Sequence, residues 1–237
     1  MKLDREQKIL RRRILEVSHR QHLSHLGSCL SAVDILAAVY KIKKKKERFV
    51  LSCGHAGIAL YAVLERCGLL KTSEVARLRI HPDRDAEKGI DVSTGSLGQG
   101  LPIAVGMALA DRRKNVYCLI SDGECTEGSI WEALRVAADQ GLSNLKILVN
   151  ANGWGAYDPV SLPLLLKRLR GFGCCVKKVD GHDPAQLCRS LKAPAARQPL
   201  VVFAETNAEQ FPFLKGQDAH YHVMTDAEHE TARDLLK

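Results

Sequence analysis

The chain contains no apolar stretch of the roughly twenty residues that a membrane-spanning helix needs. Its first residues, MKLDREQKILRRR, are charged where a secretory leader would be apolar. A cytoplasmic protein without membrane segments is therefore the expectation. Aromatic residues are scarce, at 5% of 237 positions, and none interleaves with the two basic clusters, RRR at 11–13 and KIKKKKER at 41–48. The net charge of +8 then reads as solvated faces, or as a preference for an anionic small molecule or an acidic partner, and not as a nucleic acid-binding surface. Eight cysteines are present but no CxxC pair, so a thiolate metal site is not expected, and buried free thiols are. No internal repeat and no low-complexity linker interrupts the sequence. One domain over 1–237 is the simplest reading, with a less regular C-terminal tail from about 206.

Hydrophobic patterning supplies the architecture. Leu10, Ile14 and Val17 recur at helical spacing within 5–21, and further helices are expected at 32–40, within 54–68 and at 72–79. RFVLS (48–52) reads as a short strand. Residues 81–97 are rich in Gly, Asp and Pro and read as a functional loop. From there helices at 99–113, 128–141, 162–172 and 183–192 alternate with strands at 116–120, 145–149, 174–179 and 200–205. That alternation predicts an α/β fold: three layers, α/β/α, around a mostly parallel central sheet.

Ligands of such sheets collect beyond the carboxyl ends of the strands. SDGECTEG begins at the end of the 116–120 strand and NANGWG at the end of the 145–149 strand, so Asp122 and Asn152 should converge. The helix between them is expected to turn Trp131, Ala133, Leu134 and Ala137 inward. A carboxylate plus a carboxamide is an oxygen-only donor set, suited to Mg²⁺ or Ca²⁺. Gly123 allows close backbone approach, and its amide with that of Glu124 could donate to an anion. A metal-bridged diphosphate fits this turn.

The stretch from Ser121 to Gly155 resembles the thiamine diphosphate motif of transketolases. The resemblance extends to SHLGSCLSAVDILAAVY (24–40), RFVLSCGHAGIALYAVL (48–64), HPDRDAEKGIDVSTGSLGQGLPIAVGMALA (81–110), VDGHD (179–183) and DAHYHVMTDAE (218–228). It implies thiamine diphosphate and Mg²⁺ as cofactors, with Asp122, Asn152 and the Trp154 carbonyl on the metal. It places His55, Gly95, Leu97, Gly123, Glu124 and Asn152 against the cofactor. It assigns His25, His81 and His220 to proton handling around a sugar or sugar-phosphate, and Glu127 to a relay across a two-fold interface. His19, His22, His182, His222 and His229 are read as structural. The sequence departs from the family at Ser121 (usually glycine), Leu26 (usually proline) and Ala219 (usually tryptophan). A lysine- and glycine-rich stretch expected around 207–210 is absent.

A full transketolase chain is much longer and adds a domain that binds the cofactor's aminopyrimidine ring. The resemblance therefore implies the N-terminal subunit of a split transketolase, completed by a separate C-terminal subunit in a heterotetramer. It would transfer a two-carbon ketol unit from ketose to aldose and be inactive alone. The alternatives are a subunit of another thiamine-dependent synthase joining pyruvate to an aldehyde, or a non-catalytic cofactor-binding scaffold.

Overall fold

The computed structural model describes residues 2–195 and 197–237. Asp4 caps the first helix, α1 (Arg5–Arg20), in a reciprocal capping box with Gln7. α2 (Leu26–Ile42), strand β1 (Arg48–Leu51), α3 (Gly57–Arg66) and the single-turn α4 (Thr72–Val75) follow. After the loop come α5 (Gly100–Ala110), β2 (Val116–Ser121), α6 (Gly128–Asp139), β3 (Leu145–Ala151), α7 (Leu162–Arg170), β4 (Cys175–Asp180), α8 (Pro184–Leu191) and β5 (Leu200–Glu205). Two helices, α9 (Asp218–Tyr221) and α10 (Asp226–Leu235), lie in the tail.

The five strands form one sheet in the order β1-β2-β3-β5-β4, and every pairing is parallel. β2 and β3 are buried along their whole length, which is why they read as near-continuous apolar runs. One sheet face, with Tyr117, Leu119, Leu148 and Val202, packs on α1, α2, α3 and α8. The other, with Cys118, Ile120, Ile147 and Phe203, packs on α5, α6 and α7. This is the expected three-layer α/β/α arrangement. Among the described residues no helix is long and apolar enough to cross a membrane.

Three local expectations need correction. α2 starts at Leu26 and not at Ala32. Its first turn, LGSCLS, looks like a loop in sequence, yet it is buried because the tail lies on it. A Cβ at Gly27 would come within 2.9 Å of the Ala219 carbonyl, so only glycine admits that contact. Second, β3 runs two residues further than expected, to Ala151. Asn150 is held on both sides, donating to Ser31 Oγ at 2.9 Å and accepting from Thr206 Oγ1 at 2.6 Å. Third, Ile130 takes the inward place on α6 beside Ala133, Leu134 and Ala137, and Trp131 is half-buried. Its indole packs on Phe172 and donates to the Cys125 carbonyl at 2.9 Å.

The tail is anchored by a buried ionic network. The Arg11 guanidinium grips both Asp34 oxygens, at 2.9 and 2.6 Å, and neither side chain reaches solvent to any extent. Arg11 Nε donates to Gln210 Oε1, and Gln210 donates in turn to the Leu30 and Asn207 carbonyls. His182 shares Asp34 Oδ2 at 2.8 Å and accepts the Asn207 amide on Nε2. Its structural role is thus to lock the DGH turn and the segment after β5 onto α1 and α2.

Candidate active site

The parallel register sets Ser121 opposite Asn150, so the turns leaving β2 and β3 start side by side. They then touch. The Gly153 amide donates to Asp122 Oδ2 at 2.6 Å, and a Cβ at Gly123 would lie 2.9 Å from Gly155 Cα and 3.4 Å from the Trp154 carbonyl. Only a glycine lets the second turn lie this close. Asn152 Oδ1 accepts from the Trp154 amide, while its Nδ2 donates to Ser31 Oγ at 3.3 Å. Asp122, Asn152 and the Trp154 carbonyl, the three expected metal ligands, therefore belong to one joined pair of turns.

Asp122 is 1% exposed, and burial pushes its pKa up to about 7. It accepts backbone amides but forms no ion pair among the described residues. A divalent cation would supply the missing positive charge. Nor is there a rival site of the softer kind: among the described residues no three His, Cys, Asp or Glu side chains are grouped to hold a metal. The donor set is oxygen-only, so the residues fit Mg²⁺.

The two amides of the first turn are engaged within the turn itself. Gly123 N–H donates to Asp122 Oδ1 at 3.0 Å, and Glu124 N–H donates to Ser121 Oγ at 3.1 Å. Short side chains within the same turn accept from both. The Glu124 side chain is wholly buried and turns away into a structural role. Its Oε1 accepts from Ser52 Oγ and from the Gly98 amide, while Oε2 has no partner. Burial raises its pKa.

That carboxylate positions the loop carrying Gly95 and Leu97. Gly98 is left-handed, at φ +79°, and its carbonyl accepts from Ser129 Oγ at the start of α6. A Cβ at Gly95 would approach the His81 ring to 3.2 Å, and one at Gly54 would strike Thr94. Leu97 and His55 thereby line the same small cleft as Ser121, Gly123, Asn152 and Trp154.

Three of the four nominated histidines form a close cluster and the fourth stands at its edge. His25 lies 4.5 Å from His220 and 5.4 Å from His55, ring centre to ring centre, and 6.4 Å from His81. His25 is itself left-handed, at φ +65°, and its amide donates to the His220 carbonyl. Burial, followed by the neighbouring imidazoles, lowers His25 to about 4 and His55 to about 3. Burial also lowers His220, and the Nδ1 of His25 is buried without a partner. His81 is exposed. Glu127 is exposed at the start of α6 and forms no ion pair among the described residues.

Two serines of α2 also belong to this site, though no motif in the sequence marks them. Ser31 Oγ receives Asn150 and Asn152, and Ser28 Oγ meets His220 Nδ1 at 3.2 Å. Their three-residue spacing, on the turn that also carries Gly27, was the available signal.

Residues 7–207 match the family described as transketolase, thiamine diphosphate binding domain. The chain belongs to the transketolase family. Transketolase of Homo sapiens is 39% identical over 207 residues, which cover 77% of this chain and 33% of that protein. An uncharacterized transketolase family protein of Sinorhizobium fredii is 31% identical over 249 residues, covering 92% of this chain and 88% of that protein. Among solved structures, transketolase from Campylobacter jejuni superposes with a TM-score of 0.80 at 24% identity, over 97% of this chain and 41% of that one. A Pichia stipitis transketolase mutant in complex with fructose 6-phosphate gives 0.82 at 21%, over 98% and 40%. At these identities the superpositions establish the fold. This transketolase-family chain spans about a third of the length of the mammalian transketolases it matches.

Proposed function

We propose that this chain is the diphosphate-binding half of a thiamine-dependent, transketolase-type transferase, completed by a separate chain that carries the pyrimidine-binding domain. The observation that carries this reading is the joining of the Asp122 and Asn152 turns around a buried carboxylate that, among the described residues, is met by backbone amides and no basic side chain. Asp122, Asn152 and the Trp154 carbonyl would hold Mg²⁺, with Ca²⁺ an acceptable hard substitute. Gly123, Gly95, Leu97 and His55 would surround the cofactor. Thiamine diphosphate, when bound, supplies the carbanion chemistry that makes and breaks the carbon–carbon bond.

The chain's own residues then exclude water and move protons. His25, His55 and His220 would form the proton-handling group around the sugar, and burial lowers the pKa of all three. His81, at the rim, would contact the donor sugar. Glu127 would enter a relay at a two-fold interface. Consistent with a covering partner, α5 is apolar all round and leaves Ile103 and Leu109 exposed. The Sinorhizobium relative, of nearly the same extent, supports reading this half as a chain of its own.

The test mixes the purified chain with its complementary subunit, thiamine diphosphate and Mg²⁺, and follows ketol transfer between sugars. Activity only in the mixture is expected. Full turnover by this chain without the partner would refute the two-chain arrangement.

A further inference from the structure

The turn after β2 has fewer free donors than its sequence suggests, and one more than its family resemblance suggests. Gly123 N–H is spent on Asp122 Oδ1 and Glu124 N–H on Ser121 Oγ. A serine hydroxyl has one proton to donate and two lone pairs to accept with. Ser121 Oγ uses a lone pair for the Glu124 amide, and among the described residues it donates to nothing. The residue is 6% exposed and lines the cleft between Gly123, Asn152, Trp154 and His55. A buried hydroxyl whose proton has no acceptor is costly unless something in the cleft takes it.

We propose that Ser121 is an anion-binding residue of this site. Its Oγ–H donates to a diphosphate oxygen while its lone pair holds the Glu124 amide. A glycine at 121 would leave the Glu124 amide without this acceptor. The serine captures that amide and presents a rotatable side-chain hydroxyl in its place. The Glu124 amide still contributes, because donating to Oγ polarises the hydroxyl and makes its proton a stronger donor. The inference rests on the proposed reading that the cleft takes a metal-bridged diphosphate, and it adds which group grips that diphosphate in this chain.

The experiment titrates inorganic pyrophosphate with Mg²⁺ into the full chain by calorimetry, for wild type, Ser121→Ala, Ser121→Gly and Ser121→Thr. Hydrogen bonds to charged groups set the expected scale, so Ser121→Ala should weaken binding by about tenfold or more. Ser121→Thr keeps the hydroxyl and should stay near wild type. Ser121→Gly frees the Glu124 amide and should fall between the two. Melting temperatures without ligand report the lost contact to Glu124 separately, so a stability change is not mistaken for lost binding. If wild type binds Mg²⁺-pyrophosphate and Ser121→Ala binds it equally well, the assignment of Ser121 is wrong while the diphosphate site stands. If wild type binds no pyrophosphate with Mg²⁺, the diphosphate reading and this inference fall together.

Discussion

The Gly153 amide donates to Oδ2 of Asp122 at 2.6 Å, joining two turns that lie 31 residues apart in sequence. The bond ties the metal-ligand candidates of the two turns together. It gives the buried carboxylate a partner and keeps Asn152 and the Trp154 carbonyl beside it. Saturating Mg²⁺ with thiamine diphosphate should therefore raise the melting temperature of the assembled protein. A ligand at a hundred times its Kd stabilises by about 2.7 kcal/mol. Asp122→Asn keeps the shape but removes the charge, and the metal-dependent rise should vanish in that variant. A thermal-shift titration reads this directly.

Gly98 is the second prediction. Its positive φ disfavours any side chain, and a Cβ there would lie 2.8 Å from Glu127 Cβ. Gly98→Ala should cost about 1–3 kcal/mol in stability. It should also break the amide contact to Glu124, loosening the loop with Gly95 and Leu97. Denaturant melts measure the first effect, and amide exchange at 95–98 measures the second.

Arg11 supplies the third. Removing one partner of a buried ion pair strands the other, at a cost of about 3–5 kcal/mol. Arg11→Met should therefore destabilise the chain strongly, since Asp34 would retain only His182. A combined Arg11→Met and Asp34→Leu variant should recover much of the loss, which urea unfolding would show.

The histidine cluster predicts an acid limb in stability. His25 and His55 are held near 4 and 3, below the ordinary value near 6.5. As pH falls below about 6.5, the unfolded chain takes up protons that these buried imidazoles refuse, so folding loses free energy. Their contribution is fully present above pH 6.5 and declines until pH has passed through the folded-state values. Asp122, raised to about 7, contributes the opposite slope in the same window, so the histidine share is read by difference: His55→Asn should lose less melting temperature than wild type between pH 7 and pH 5.

Much of this was legible in sequence, and unevenly so. The β2 and β3 strands announced themselves as runs of apolar residues ending in polar turns, so the meeting of Asp122 with the Asn152 turn followed from parallel topology alone. The start of α2 was not legible, because Gly27, Ser28 and Ser31 are buried by the tail and by Asn150, contacts more than a hundred residues distant. The partners of the Gly123 and Glu124 amides are not legible either, for a different reason. Whether a turn amide points at a ligand or at a neighbouring Asp or Ser oxygen depends on local dihedrals that residue identity does not fix. The tail looked aperiodic because its buried apolar residues, among them Phe211, Leu214, Ala219 and Met224, are irregularly spaced, and polar side chains share in holding it. Arg11, Gln210 and His182 carry no hydrophobic period to read.

The most direct test of the account is to locate the metal. Crystals of the protein grown with Mn²⁺ in place of Mg²⁺, together with thiamine diphosphate, give an anomalous signal that marks the ion independently of any interpretation of the protein density. The account predicts a single strong peak between Asp122, Asn152 and the Trp154 carbonyl, in contact with the diphosphate. A diphosphate bound elsewhere, or a peak that leaves Asp122 bonded only to Gly123 and Gly153, would contradict it.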